Sequence, residues 1–441
     1  MDFVRDHIAV KLLAAGLAFL ATFAAVRAID GGAPSLGVDA GSSDLSAGLL
    51  PSATTAQRVD SLEAQVRQSP SDPRGYVDLG HAYLARFGET EDPAFYPKAE
   101  GAFDTALNLD PNDSSGLAGM AQLELSRHQF PHGLALAKRA RRLNPSTVEY
   151  DGLIIDAQVE LGRYGAAART LQHYVSRRPE LGSYARVSYL RELHGDPGGA
   201  ARAMELAASA AGDRSADSAF ATTLLGKLRA DQGDYAAAEG AYRQVLMLDP
   251  GYPDAMLGLA AIEAGRGQTE AALARYRAVQ RSIAAPDHAI LLGEAEEAAG
   301  HGAAATRAYQ EARAAFDAEA AVGANTSTDR ALFEADHGNS SRAVELGRRA
   351  WHYTPSVRAA DAYAWALSAV GEHRAALRYS GLAMRLGSRD PHFLYHAGMV
   401  AFRAGQPGRA RPFLSRLVKQ SPRFSPLYGP QAQRTLKALG N

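Results

Sequence analysis

The sequence predicts an all-α solenoid of about ten helix-turn-helix units, and three observations predict it. One set of residue offsets recurs along most of the chain, the glycines inside it recur about every 34 residues, and the composition is that of a folded protein. Of 441 residues, 46% are hydrophobic and 22% charged, a balance that supplies a core and argues against disorder. Lys plus Arg (47) nearly cancels Asp plus Glu (48), for a net charge of −1. That points away from nucleic acid, which needs a basic excess or a basic face to neutralise phosphates. The chain has no cysteine. Disulfide frameworks, thiolate nucleophiles, Cys-bearing zinc sites, iron–sulfur clusters and a cysteine-anchored lipoprotein are thereby excluded.

Residues 1–28 differ in character from the rest of the chain. Asp2, Arg5, Asp6 and Lys11 precede an uncharged run from Leu12 to Val26, closed by Arg27. Fifteen helical residues span roughly 22 Å, short of a hydrocarbon core of ~30 Å. Extension back to Ile8, with Lys11 snorkelling, brings the segment close to a membrane anchor over residues 8–28. The small residues from Ala24 to Ala28 equally suit cleavage after export. Both readings, a cleaved signal or a retained transmembrane helix, place the rest of the chain outside the cytoplasm: periplasmic, extracytoplasmic or secreted. Residues 29–55 are rich in Gly, Ser, Ala and Pro without an apolar period, the composition of a flexible linker. Residues 56–72 form a flanking helix, 73–422 the repeat array and 423–441 a polar C-terminal capping helix.

Within the array, Gly233 is followed by Ala238, Tyr242, Val245 and Pro250. The same offsets recur at Gly162, Ala167, Leu171, Tyr174 and Pro179, and at Gly405, Ala410, Leu414, Leu417 and Pro422. A glycine seven residues upstream recurs as Gly226, Gly293 and Gly398. Small residues facing one another let two antiparallel helices approach closely. Glycine between them takes a turn conformation costly for other residues. The closing proline ends the second helix and suits the start of the next. Turn glycines Gly162, Gly195, Gly233, Gly300, Gly338, Gly371 and Gly405 lie 33, 38, 67, 38, 33 and 34 residues apart, the 67 holding one further unit with Tyr276. Tyr242, Tyr276 and Tyr309 fall at the packing position and are expected in the core. Extra residues at 208–217 and 313–325 predict longer helices or connections there.

These residues, with Leu79, Gly80, Tyr83, Ala99, Phe103, Ala106 and Pro111 in the first unit, resemble the tetratricopeptide repeat. The resemblance covers roughly residues 70–422 and implies a right-handed superhelix. The stretches SYARVSYLRELHGD and LFEADHGN, with YHAGM, resemble exported bacterial proteins of this family that have no assigned activity.

No catalytic signature accompanies the repeat. HExxH, GxSxG and GxxxxGK[ST] are missing. Asp110, Asn112 and Ser114 alternate as in a calcium loop, but Gly at the sixth position and the final Glu are not there. His128 with His132 and His392 with His396 have metal-ligand spacing; Pro131 splits the first pair and the second has no third ligand nearby in sequence. No metal, cofactor or catalytic residue is assigned. Lys138, Arg139, Arg141 and Arg142 are read as a solvated outer face.

In the resembled family, the first helices of successive units line a concave groove that holds peptides or partner helices. Register places Tyr189, Lys227, Glu294, Trp365 and Met399 on that face, alongside His81 and Asp156. Tyr395 and Phe402 share the helical face of Met399. The aromatic group of the last two units is the strongest candidate partner site, its competing reading being packing between neighbouring helices. The expected function is a non-enzymatic protein-interaction scaffold or adaptor. The alternative is a structural accessory subunit of an envelope or secretion complex.

Overall fold

Twenty-two α-helices and a short 3₁₀ segment, with no strand, make up the described residues of the computed structural model, 54–211 and 215–440. The export or anchor segment and almost all of the linker expected from the sequence lie outside them. No helix among the described residues is long and apolar enough to cross a membrane.

Helix α1 (Thr55–Gln68) flanks the array. Ten antiparallel pairs follow: α2 (Pro73–Thr90) with α3 (Phe95–Leu109), α4 (Ser114–Ser126) with α5 (Phe130–Leu143), and α6 (Tyr150–Glu160) with α7 (Tyr164–Arg177). Then come α8 (Leu181–Leu193) with α9 (Pro197–Ala211), α10 (Ser215–Asp231) with α11 (Tyr235–Leu248), and α12 (Pro253–Gly265) with α13 (Thr269–Ser282). The last four are α14 (Pro286–Ala298) with α15 (Gly302–Ala321), α16 (Ser327–His337) with α17 (Ser340–Tyr353), α18 (Val357–Ala369) with α19 (His373–Ala383), and α20 (Pro391–Arg403) with α21 (Pro407–Gln420). Helix α22 (Tyr428–Ala438) closes the end. We number these pairs as units 1 to 10.

The packing rule read from the sequence is physical. A methyl group at Gly226 would come within 2.7 Å of the Tyr242 ring, and one at Gly258 would strike the same ring from the next unit. The two glycines therefore clasp one tyrosine, and Tyr242, Tyr276 and Tyr309 are all buried. Ala238 opposite them is fully buried. The further unit inside the 67-residue gap is α12–α13, whose turn is Gly267 in the left-handed region. Unit 2 has no turn glycine; His128 takes positive φ there and stacks on Phe130. Gly338 departs from the rule, its φ of −143° lying outside the left-handed region of the other turn glycines, and Asn339 caps α17 instead. The extra residues near 313–325 lengthen α15 to 20 residues.

The chain also comes back onto itself. The Asn325 amide donates to the Arg127 carbonyl over 2.8 Å, and Gln129 Nε2 donates to the Gly323 carbonyl over 2.9 Å. Both bonds join the turn of unit 2 to the connection before unit 8. The Val357 amide donates to Tyr164 Oη over 2.9 Å, linking the turn of unit 3 to the connection before unit 9. Gly195 of unit 4 abuts the Gly387 carbonyl before unit 10. The turn of unit 5 meets the connection before α22, where Gln420 Nε2 donates to the Asp231 carbonyl over 2.8 Å and the Arg423 amide to Tyr235 Oη over 3.1 Å. The register is constant: each turn meets the chain six units later. Successive turns of the superhelix are thus zipped along a polar seam.

Candidate partner-binding groove

The first helix of each unit lines the inner wall, so one sequence position repeats there unit by unit. Most of the charged and aromatic groups on that wall pair with the next unit. Asp156 of α6 holds Arg186 of α8 through two bonds of 2.8 and 2.6 Å. Tyr189 Oη donates to Glu160 over 3.2 Å. Lys227 of α10 lies 3.7 Å from Glu192 of α8 and 2.5 Å from Asp231 of its own helix. Asp329 of α16 holds Arg358 of α18 at 2.6 Å, and Trp365 Nε1 donates to Asp336 over 2.9 Å. Asp361 of α18 holds His396 of α20 at 2.6 Å. Buried charges need such partners, because an uncompensated one costs several kcal/mol.

Burial shapes the titration of this wall. Removal from water pushes the Glu160 carboxyl up to about 7, with nearby Arg358 opposing the shift. Glu192 is likewise pushed to about 7 by burial, against the pull of Lys227. Burial depresses His392 to about 3. For His396 burial acts downward too, but the Asp361 carboxylate outweighs it and the imidazole titrates above its usual value.

The candidate site residues divide into three environments. Trp365, Tyr395 and Met399 come together, with 1%, 1% and 3% of their surfaces exposed. The Trp365 ring stacks on His396 at 4.4 Å and carries the Arg403 guanidinium at 4.3 Å on a face. Tyr395 lies against Phe424 and Tyr428 of the C-terminal segment and donates to Gln431 over 2.5 Å. Phe402, from the same helix, is 38% exposed. Tyr189, Lys227 and Glu294 are half-buried on other stretches of the wall, and Glu294 faces His337 at 3.4 Å. Burial of the first three belongs to inter-unit packing; Phe402 is the aromatic side chain of that group left open to a partner.

The two histidine pairs do not converge. His132 faces Glu124 at 3.0 Å, whereas His128 sits in the unit 2 turn with Nδ1 3.3 Å from the Asn325 carbonyl. His396 is taken by Asp361, and His392 stands edge-on to Phe424. Carboxylate oxygens of Glu192, Asp231 and Asp390 lie within 4.8 Å of one another. The Lys227 ammonium already compensates that cluster.

Sequence reasoning missed the pairing itself. Its signal was present as acid and base positions about one unit apart, 156 with 186, 329 with 358, 361 with 396.

Residues 229–294 match the family model described as tetratricopeptide repeat. Those residues span the end of α10 through most of α14, and the same two-helix unit repeats before and after them. The chain is a tetratricopeptide repeat protein. No curated protein matches its sequence. Among solved structures it is similar to the human IFIT1 dimer with PPP-AAAA, at 16% identity and TM-score 0.48 over 74% of this chain and 77% of that one. It is also similar to a tetratricopeptide repeat protein from Parabacteroides merdae, at 14% identity and TM-score 0.40 over 60% and 98%.

Proposed function

We propose that this tetratricopeptide repeat protein is a non-enzymatic scaffold that recruits protein partners, exported or held at a membrane by residues 8–28. The observation that carries the reading is the wall of ten first helices, which presents one register of side chains over the full array. Such a surface suits extended or helical partners. The contact centres on the exposed Phe402, on units whose core holds Trp365, Tyr395 and Met399, while Tyr189, Lys227 and Glu294 set the polar character of the wall. Aromatic anchors carry much of the energy at such interfaces.

Crosslinking in the native host, with identification of the captured proteins, tests it. Phe402→Ala is expected to weaken capture of the dominant partner at an unchanged melting temperature. Trp365→Ala is expected to lower the melting temperature itself. Undiminished capture by Phe402→Ala removes that contact. A reporter fused after residue 55 and active only in the cytoplasm removes the export reading. The sealed seam favours a second reading, a rigid accessory subunit of an envelope or secretion complex. A single partner recovered in fixed stoichiometry supports the subunit, and a varied set supports the adaptor.

A further inference from the structure

A cavity of about 220 Å³ opens between the first helices of units 5 to 7 and the connection leading to α22. Phe220, Leu291 and Phe424 give it apolar walls, and Tyr242, Tyr276 and Thr223 bring hydroxyl-bearing side chains to its lining. An apolar cavity of ~150 Å³ is enough for benzene, so this one has room for a ring with a short polar arm. Thr223 is 5% exposed, and its buried hydroxyl makes no hydrogen bond within the protein.

The two tyrosines differ from their counterpart in the next unit. Tyr309 holds the same place in the repeat, nine residues after the turn glycine, and donates to Glu297 over 2.7 Å. Glu297 stands three residues before its turn glycine, where units 5 and 6 have Ala230 and Ala264. An alanine side chain offers no acceptor, and among the described residues neither phenol has a hydrogen-bond partner. Burial raises the pKa of both phenols, so each keeps its proton and remains a donor. The two lie close enough for Tyr276 to raise Tyr242 further.

The charges that border the cavity are already occupied or solvated. The Lys227 ammonium is engaged by Asp231 at 2.5 Å and Glu192 at 3.7 Å, Asp254 is engaged within the protein, and Arg423 is exposed to water. A cation therefore finds no free carboxylate. Asp390 adds a third carboxylate beside Lys227, which disfavours an anion as well. What the lining leaves unmet is a set of neutral hydroxyl donors.

The geometry points to a binding site for a small neutral carbonyl compound, its apolar body among Phe220, Leu291 and Phe424 and its carbonyl oxygen accepting from the Tyr276 phenol, with Tyr242 and Thr223 the further donors of the same cavity. The site is independent of the partner surface at Phe402. The same chemistry arises from a free aryl ketone or from a phenylalanine residue of a partner with its backbone carbonyl.

Calorimetric titration of the full chain tests this with acetophenone, Nα-acetyl-phenylalaninamide, toluene (which has no acceptor), the anion benzoate and the cation benzylamine. Saturable one-site binding of a carbonyl probe, about fivefold tighter than toluene and tighter still than either ion, is expected. Whichever of the two carbonyl probes binds better identifies the source. Tyr276→Phe should weaken that binding about fivefold and leave toluene binding unchanged. Its melting temperature should be equal or higher, because the lost hydroxyl had no partner, an outcome a structural role does not give. Ala264→Glu, which supplies the acceptor that Glu297 gives Tyr309, should abolish carbonyl binding. Absence of saturable binding by both carbonyl probes at about 10 mM, toluene or an ion binding as tightly, or unchanged affinity in a folded Tyr276→Phe protein overturns the proposal.

Discussion

The turn glycines of units 3, 4 and 5 and those of units 6, 7, 9 and 10 look alike in the sequence and do different work. All seven have positive φ. At Gly267, Gly300, Gly371 and Gly405 an added methyl group would meet nothing nearby. At Gly162 and Gly195 it would lie 2.6 and 2.7 Å from the carbonyls of Pro355 and Gly387, and at Gly233 it would strike the carbonyl of Gln420. The first set of turns thus serves backbone geometry and also admits the next superhelical turn; the second serves backbone geometry alone. One local signature carries a local and a long-range constraint, and only the folded chain separates them.

The comparison is broken most forcefully at Gly233. Gly233→Ala adds a collision with a backbone carbonyl to the left-handed penalty, and we expect a loss of about 3 kcal/mol or more, measured by urea unfolding. Gly371→Ala, which meets open space, should cost about 1–2 kcal/mol. Equal losses at the two positions would erase the distinction. Tyr164→Phe leaves the Val357 amide without its acceptor and should cost about 1–3 kcal/mol; small-angle scattering would register any accompanying expansion of the superhelix.

Glu160→Gln gives the smallest effect and sharpens the contrast between seam and inner wall. The folded carboxyl titrates at about 7, above its ordinary 4.5, so the folded state holds its proton more tightly than the unfolded chain. The stability this contributes is fully present below about 4.5 and is lost as pH rises through about 7. The variant should therefore gain about 1 kcal/mol at pH 8 and show a flatter pH profile, read by thermal unfolding in a buffer series.

How much was legible in the sequence depends on the range of each interaction. Gly226, Tyr242 and Gly258 form a clasp between adjacent units, and the fixed offsets of Gly226 and Tyr242 announced the half of it that lies within one unit. The Asp361–His396 and Asp329–Arg358 pairs also join neighbours, and their spacing was visible although their meaning was not. Gln129 with Gly323 and Tyr164 with Val357 were beyond reach. Those contacts depend on the accumulated rotation of six units, which no local pattern encodes. For the same reason register alone put Trp365 and Phe402 on one face, while the folded chain buries the first and leaves the second exposed.

The seam is tested most directly by hydrogen exchange at two amides without a helical acceptor that donate across it, Asn325 in the connection before unit 8 and Val357 at the first position of α18. Protection of both at least about 100-fold above that of exposed loop amides, with Val357 alone losing it in Tyr164→Phe, is the predicted result. Exchange of both at the rate of unstructured loops in the unaltered protein would contradict the closed superhelix.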